Sequence, residues 1–216
     1  MMFSLRSYQR LQCALFCSKT LPFQRFSSQQ CRTSRQTRAT LRKDIRRIVH
    51  DTEVDSVNFI FDEKKRVIVY TDGCCYFNNS LDVKKRKAGI GVYWGENDHP
   101  LNLSMGIYEK NLSSNRAELL AAHAAVQLAI ELSFSELCLR VDSLYVKTGC
   151  EQWLQKWQSN RWRAFNGDPV KNQDLWKPLA KDMLKVQITF EKVNDESSEG
   201  QKMAHNLANA AARLMK

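Results

Sequence analysis

The stretch VIVYTDG at residues 67–73 carries the clearest structural signal in the chain. Its first five residues are apolar, aromatic or β-branched, which is typical of a β-strand. An Asp-Gly pair follows this run, and such pairs commonly open turns. We therefore predict a strand that begins at Val67 and ends at Asp72-Gly73.

Further strands and helices are predicted after this first strand. Residues 88–94 (AGIGVYW) and 101–108 look like two more strands of a meander. Residues 115–132 contain neither Pro nor Gly and place apolar side chains at helical spacing, so we predict a helix there. The remaining predictions are a strand at 136–141, helical stretches at 143–157 and 173–184, a strand at 186–193 and a closing helix at 201–214. This order predicts an α/β fold with a five-stranded mixed sheet flanked by helices.

The formal net charge of +10 is concentrated at one end of the chain. Residues 1–43 contain nine Lys or Arg and no Asp or Glu, so the remainder has 24 basic residues against 23 acidic ones. We interpret 1–43 as a mitochondrial transit leader, 44–65 as a linker or short helix, and 66–216 as the catalytic domain. A disordered basic arm that grips nucleic acid is the alternative for the leader, and the location would then be nuclear or cytoplasmic.

Composition also limits the class of protein. No run approaches the roughly 18 uninterrupted apolar residues that a membrane-spanning helix needs, so we expect a soluble protein without a membrane partner. Seven cysteines are present, without the spacing of a metal finger. We interpret the four that lie beyond the leader as reduced thiols or small buried side chains.

Three acids stand where the predicted backbone changes direction, and each has an ordinary structural explanation. Asp72 could open a turn, Glu118 could form a helix capping box with Asn115, and Asp142 could cap the helix that follows it. However, acids at two strand tips and in one first helical turn can also meet at one point. Because clustered carboxylates repel one another, a fold keeps them together chiefly to hold divalent cations such as Mg²⁺ or Mn²⁺.

Four short segments carry a resemblance to a known family. They are YTDGCC at 70–75, AGIGVYW at 88–94, NRAE at 115–118 and VDS at 141–143. In this order they resemble the successive signatures of eukaryotic type 1 ribonuclease H, over roughly residues 66–214. The resemblance implies the ribonuclease H fold and cutting of the RNA strand of RNA–DNA hybrids.

The resemblance also implies a mechanism with two Mg²⁺ ions, with Mn²⁺ as a possible substitute. Asp72 would bridge both ions, and Glu118 and Asp142 would share the second. Water would attack the phosphate in line and leave a 5′-phosphate and a 3′-hydroxyl, without a covalent enzyme intermediate.

Residues that would touch the hybrid follow from the same resemblance. Cys74, Ser114 and Asn115 match positions that contact the RNA strand, although their residue types also suit turns and caps. Ser113 and Asn172 match a pocket for a DNA phosphate. Trp153 and Trp157 lie in a segment that resembles a basic protrusion gripping the DNA strand; spacing alone equally allows them to be core contacts of one helix.

The chain departs from the family pattern at Asn111, which replaces an Arg of the phosphate pocket, and at two positions that bear on the chemistry. His205 stands where the family has its fourth metal-binding acid, and it could be a ligand that favours Mn²⁺ or an ordinary packing residue. Glu196 aligns with a His that assists proton transfer, although Asp195 or Glu199 could substitute for it. We therefore expect a monomeric endoribonuclease acting on RNA–DNA hybrids, with a weakened or inactive hybrid-binding module as the alternative.

Overall fold

The computed structural model describes residues 33–53, 57–96, 99–194 and 198–215. The helices are α1 (Ser34–His50), α2 (Ser114–Glu131), α3 (Leu144–Thr148), α4 (Leu154–Ser159), α5 (Gln173–Asp182) and α6 (Glu199–Arg213). The strands are β1 (Val67–Tyr76), β2 (Lys87–Tyr93), β3 (Leu103–Ile107), β4 (Glu136–Val141) and β5 (Gln187–Lys192). Short 3-10 turns occupy Val83–Lys85 and Met183–Lys185, and a π-helical turn, Gly149–Trp153, joins α3 to α4.

The five strands form one sheet in the order β3-β2-β1-β4-β5. β1 pairs antiparallel with β2 and parallel with β4, β2 pairs antiparallel with β3, and β4 pairs parallel with β5. The predicted α/β fold with a five-stranded mixed sheet is therefore confirmed.

The first strand is longer than its sequence predicted. β1 does not end at Asp72-Gly73 but continues to Tyr76, because its second half pairs with β2 from Asp72↔Gly91 to Tyr76↔Lys87. An Asp-Gly pair permits a turn but does not require one, and the ladder to β2 supplies hydrogen bonds that a turn would forfeit.

Helices cover both faces of the sheet. Alternate residues of a strand point to opposite faces, and β1 accordingly sends Val69 into the larger core cluster and Tyr70 into a smaller cluster with Ala204 of α6. α6 comes very close to β2, since a Cβ built on Gly91 would lie 2.0 Å from the carbonyl oxygen of Ala204. Only glycine tolerates this approach.

α1 belongs to the folded body of the chain. Thr33 and Gln36 form a capping box at its start. Leu41 and Ile45 are fully buried and Ile48 is 4% exposed, all within the main core cluster. The helix continues across position 43, where the predicted leader ends, and it stops inside the predicted linker. Residues 1–32 of the predicted leader lie outside the described residues.

We predict that Leu41→Ala lowers the free energy of unfolding by about 3 kcal/mol, because it removes a fully buried side chain and leaves a cavity. The matched control is Lys43→Ala, an exposed position of the same helix, which should change stability by less than about 0.5 kcal/mol. Chemical denaturation of the full chain measures both. Equal effects of the two substitutions would mean that α1 does not pack on the domain in solution.

Within the described part of the chain, no helix combines the length and the apolar character needed to cross a membrane.

Candidate active site

Two of the predicted acids stand at matching positions along neighbouring parallel strands. β1 and β4 are in register from Val67↔Leu137 to Thr71↔Val141. Asp72 comes next in β1, and Asp142 directly follows the last residue of β4. Parallel register therefore places Asp72 beside Asp142 at the carboxyl end of β4, close together as the sequence predicted.

The third acid comes close to these two because β1 has a glycine at the required position. A Cβ built on Gly73 would lie 2.2 Å from the backbone nitrogen of Glu118 and 2.2 Å from the carbonyl carbon of Ala117. The first turns of α2 can rest directly on β1 only because Gly73 has no side chain. This contact brings Glu118 next to Asp72.

The three carboxylates form one cluster. Asp72, Glu118 and Asp142 each offer an oxygen atom, and these atoms all lie within 4.8 Å of one another. Asp72 is 3% and Glu118 is 9% exposed, whereas Asp142 is half-buried. Burial, reinforced by the negative charges of Asp72 and Asp142, raises the pKa of Glu118 well above its ordinary value.

The cluster has the chemistry of a site for a hard divalent cation. All of its donors are carboxylate oxygens, which such cations prefer. The Oε2 atom of Glu118 is buried and has no hydrogen-bond partner among the described residues. A bound cation would satisfy this atom and offset the repulsion among the carboxylates, so the residues present fit a divalent metal.

The ordinary structural explanations for these acids do not hold. Asp72 lies within β1 rather than in a turn and accepts a hydrogen bond from the Gly73 amide at 2.8 Å. Ser113, not Asn115, is the N-cap of α2. Ser143, not Asp142, caps α3. The acids are therefore not needed as caps.

His205 contacts the cluster without being one of its mutually close ligands. The first turns of α6 carry it to the middle of β1, where Nδ1 lies 2.8 Å from Oδ2 of Asp72. Its side chain is 45% exposed, which argues against a role as an ordinary packing residue. The imidazole hydrogen-bonds to one of the three carboxylates of the cluster.

The loop before α6 is only partly described. Glu196, predicted to assist proton transfer, and its alternative Asp195 lie outside the described residues. Glu199 opens α6, is 76% exposed and pairs with Lys202 at 3.3 Å.

The residues predicted to contact RNA border the acid cluster. Cys74 lies two residues beyond Asp72 in β1 and therefore on the same face of the strand. Burial raises the pKa of its thiol to about 11, so the group is neutral at physiological pH. Ser114 and Asn115 stand four and three residues before Glu118, on the same side of α2.

Arg116 joins the two residues of the predicted phosphate pocket. Its backbone amide donates to Oγ of Ser113, and its Nη1 donates to Oδ1 of Asn172 at 3.3 Å. Glu109 and Asp174 hold the guanidinium at 2.6 and 2.8 Å. Arg116 belongs to the NRAE segment, but the sequence predicted no role for it. Its burial and its contact with Asn172, 56 residues away, are properties of the folded chain that the local sequence does not indicate.

The tryptophans are both structural and accessible. Trp153 and Trp157 are half-buried, and their ring centroids lie 5.5 Å apart. Trp157 also contacts Trp162 and the buried Trp176, at 6.2 and 5.4 Å. Lys177 places its ammonium 5.2 Å from the Trp162 ring centroid. The segment thus combines core packing with an exposed aromatic and basic edge.

A second group of potential ligands is already neutralised by cations. Asp62, Cys138 and Glu191 could also converge on an ion. However, Arg66 forms ion pairs with Asp62 at 2.6 Å and with Glu191 at 3.6 Å, and Arg140 lies 2.9 Å from Glu191. We interpret this group as a structural ion-pair network.

The described cysteines are free thiols, and Cys138 is the one that is fully buried among them.

The family follows from comparison with known sequences. The sequence model of the RNase H family matches residues 64–213. The chain belongs to the RNase H family. Ribonuclease H of Francisella philomiragia is 34% identical over 153 residues, which cover 70% of this chain and 94% of that protein. Mouse Ribonuclease H1 is 41% identical over 113 residues, or 52% of this chain. The predicted type 1 ribonuclease H family is thereby confirmed.

This RNase H chain matches only part of some relatives. The aligned segment spans 38% of the mouse and rat Ribonuclease H1 proteins.

Solved structures are similar in fold. The solution structure of the PFV RNase H domain matches with a TM-score of 0.53 and 23% identity, over 69% of this chain and 95% of that chain. The crystal structure of LC9-RNase H1, a type 1 RNase H with the type 2 active-site motif, matches with a TM-score of 0.52 and 20% identity, over 68% of this chain and 71% of that one.

Proposed function

We propose that this protein is an endoribonuclease that hydrolyses the RNA strand of RNA–DNA hybrids and leaves 5′-phosphate and 3′-hydroxyl ends. The observation that carries the proposal is the cluster of Asp72, Glu118 and Asp142, whose carboxylate oxygens lie within 4.8 Å of one another in an RNase H fold. Relatives of this chain named Ribonuclease H support the same reaction.

The three acids would hold two Mg²⁺ ions, or Mn²⁺ in their place. Bound ions of this kind activate water and stabilise the leaving oxygen in phosphodiester hydrolysis. The protein's own contribution is to hold the carboxylates in position before any ion binds. Gly73 fixes the approach of α2, and the parallel register of β1 and β4 fixes the spacing of Asp72 and Asp142.

Recognition of the hybrid would use both sides of the cluster. Cys74, Ser114 and Asn115 border the acids on the side proposed for RNA. Ser113 and Asn172, joined by Arg116, would hold a phosphate of the DNA strand. A protein that distinguishes RNA from DNA must sense the 2′-hydroxyl, and short polar side chains close to the scissile strand suit that purpose.

A second candidate function is a hybrid-binding module with little or no catalysis. The observation that favours it is His205, whose Nδ1 lies 2.8 Å from Asp72. A neutral imidazole contributes no negative charge to the metal site, whereas the family's acid would. Loss of that charge weakens the hold on the water-activating ion.

Cleavage assays on the full chain separate these functions. Labelled RNA–DNA hybrid and labelled duplex RNA are incubated with Mg²⁺, with Mn²⁺ or with EDTA. We expect cutting of the hybrid alone, only with a divalent ion, and with 5′-phosphate on the new ends. Tight binding of the hybrid without product in either metal would instead support the binding module.

We also propose import into mitochondria, based on the basic, acid-free composition of the leader. Because Leu41 is buried in the core, the segment tested should be residues 1–32 rather than 1–43. A fluorescent fusion of residues 1–32 is expected to co-localise with mitochondria. A matched fusion in which its five Lys and Arg residues are replaced by Gln should stay in the cytosol. Diffuse fluorescence of both fusions would contradict the proposal.

A further inference from the structure

We infer that α1 and α5 extend the nucleic-acid track beyond the active site and bind phosphates of a long hybrid. This inference rests on the proposed function, because the track begins at the segment with Trp153, Trp157 and Trp162, which resembles the family's DNA-gripping protrusion. The surface is called the basic ridge and consists of Arg35, Arg38, Arg42 and Arg46 of α1 with Lys177 and Lys181 of α5. α1 lies outside the segment that matches the RNase H family model.

The four arginines lie along one flank of α1. Their spacing of three, four and four residues keeps them on the same side of a helix. Arg35 to Arg46 spans about 16 Å along the helix axis, which corresponds to about five nucleotides of one strand. The array is therefore long enough to face several consecutive phosphates.

Ion pairs fix this flank of α1 against its neighbours. Arg38 lies 3.9 Å from Asp174 in the first turn of α5, and Arg42 lies 3.6 Å from Asp182 at its end. Arg46 pairs with Glu131 of α2 at 3.2 Å. The side chains of Arg42 and Arg46 remain 51% and 65% exposed, so they can also contact anions in solution.

The acids near the ridge do not cancel its charge. Its six cations face Asp174, Asp182 and Glu131, and Lys185 adds a further cation 2.9 Å from Asp182. Glu109 also acts on Arg38, but its carboxylate is already paired with Arg116 at 2.6 Å. Asp182 is also only 6% exposed, which limits its field at the surface. The ridge keeps a net positive charge that suits a polyanion.

The ridge is continuous with the segment that carries Trp153, Trp157 and Trp162. Lys177 belongs to α5 and places its ammonium 5.2 Å from the ring centroid of Trp162. Lys181 follows one turn later on the same side of α5. A strand held at the tryptophans would therefore meet Lys177 and Lys181 first and the arginines of α1 next.

Nucleic acid suits this surface better than a membrane does. A helix that binds a membrane surface needs an exposed apolar face. The apolar residues Leu41, Ile45 and Ile48 of α1 are buried in the core, and its exposed positions with described side chains are polar or Ala. The outer surface of α1 therefore offers charged and polar groups to a partner, but no apolar face for a membrane.

The test compares two double variants with equal loss of charge. Arg35→Gln/Lys181→Gln removes two ridge cations, which have no ion-pair partner among the described residues. Lys64→Gln/Lys65→Gln removes two exposed cations from the turn before β1 and serves as the control. Binding of hybrids of about 10 and about 30 base pairs is measured by fluorescence anisotropy in EDTA over a series of salt concentrations.

For the long hybrid, we expect the ridge variant to bind about tenfold more weakly at low salt. The plot of log binding constant against log salt concentration should also be less steep, by about two units of slope. The affinity of the ridge variant for the short hybrid should differ from the wild-type affinity by less than about twofold, since the active-site groove is intact. The control variant should match the wild type on both hybrids.

Equal binding of the long hybrid by ridge and control variants would overturn the inference. Unchanged hybrid binding together with lost binding to phosphatidylserine vesicles would also overturn it, in favour of a membrane surface. Cleavage of the short hybrid with Mg²⁺ tests the proposed function separately. A wild type that fails to cut this substrate would contradict the nuclease activity, while the affinity difference would still report on the ridge.

Discussion

Replacing Asp72 with asparagine is expected to lower hybrid cleavage by at least about a thousandfold, which corresponds to about 4 kcal/mol of lost transition-state stabilisation. Asp72 offers a carboxylate oxygen within 4.8 Å of ligand atoms of both Glu118 and Asp142, and its carboxylate also contacts His205 at 2.8 Å. Asparagine has nearly the same shape but no negative charge, so the cluster would bind a divalent cation more weakly. Single-turnover cleavage with Mg²⁺ measures the effect.

Two further measurements separate loss of chemistry from loss of structure. The affinity for hybrid in EDTA should change by less than about threefold, because the residues proposed to bind it lie outside the metal cluster. Thermal stability in EDTA should rise rather than fall, since the substitution relieves repulsion between Asp72 and the buried Glu118.

Asp82→Asn is the matched control for this substitution. Asp82 is exposed in the loop between β1 and β2, and its carboxylate accepts a hydrogen bond from the Lys84 amide, which asparagine can also accept. This variant should cut the hybrid at the wild-type rate. Near-normal cleavage by Asp72→Asn would show that the reaction occurs at a different site.

Replacing His205 with aspartate is expected to raise the rate of cleavage with Mg²⁺ by about tenfold or more. The ratio of the cleavage rate with Mn²⁺ to the rate with Mg²⁺ should become smaller. Nδ1 of His205 lies 2.8 Å from Oδ2 of Asp72, so a carboxylate at this position would reach the same cluster. It would add the negative charge that the family's acid supplies and that a neutral imidazole does not. Rates over a titration of each metal measure the effect.

The control is His205→Asn, which retains a polar side chain of similar size to aspartate but adds no charge. Only the aspartate variant should gain activity with Mg²⁺. If both variants behave alike, the charge at position 205 does not limit the reaction. If neither metal supports cleavage even with His205→Asp, the hybrid-binding module becomes the better description of the chain.

Local patterns were sufficient for most of the elements. The β-branched run at 67–71 and the apolar stretch at 136–141 are strands, and β4 has the predicted limits. The helix predicted at 115–132 is α2, shifted by one residue. These segments could be predicted because a strand or a helix repeats its apolar residues every two or 3.6 positions, and this repeat is visible within a short stretch of sequence.

α1 was harder to recognise. Its buried positions Thr37, Leu41, Ile45 and Ile48 have helical spacing, but arginines surround them and no acid appears before Asp44. The composition of its first half therefore matches a transit leader, and its second half looked like a linker or helix. Packing of the apolar stripe against α2 distinguishes this helix from a leader, and composition contains no information on that contact.

The sequence by itself determined the family, the strand pattern and the identity of the three acids, because motifs and periodicity are local properties of the chain. Only the tertiary structure decided which groups meet. The hydrogen bond from His205 to Asp72 joins residues 133 positions apart, and Arg116 reaches Asn172 across 56. Such contacts depend on close helix packing at Gly73 and Gly91 and on strand register, which become defined when the core assembles.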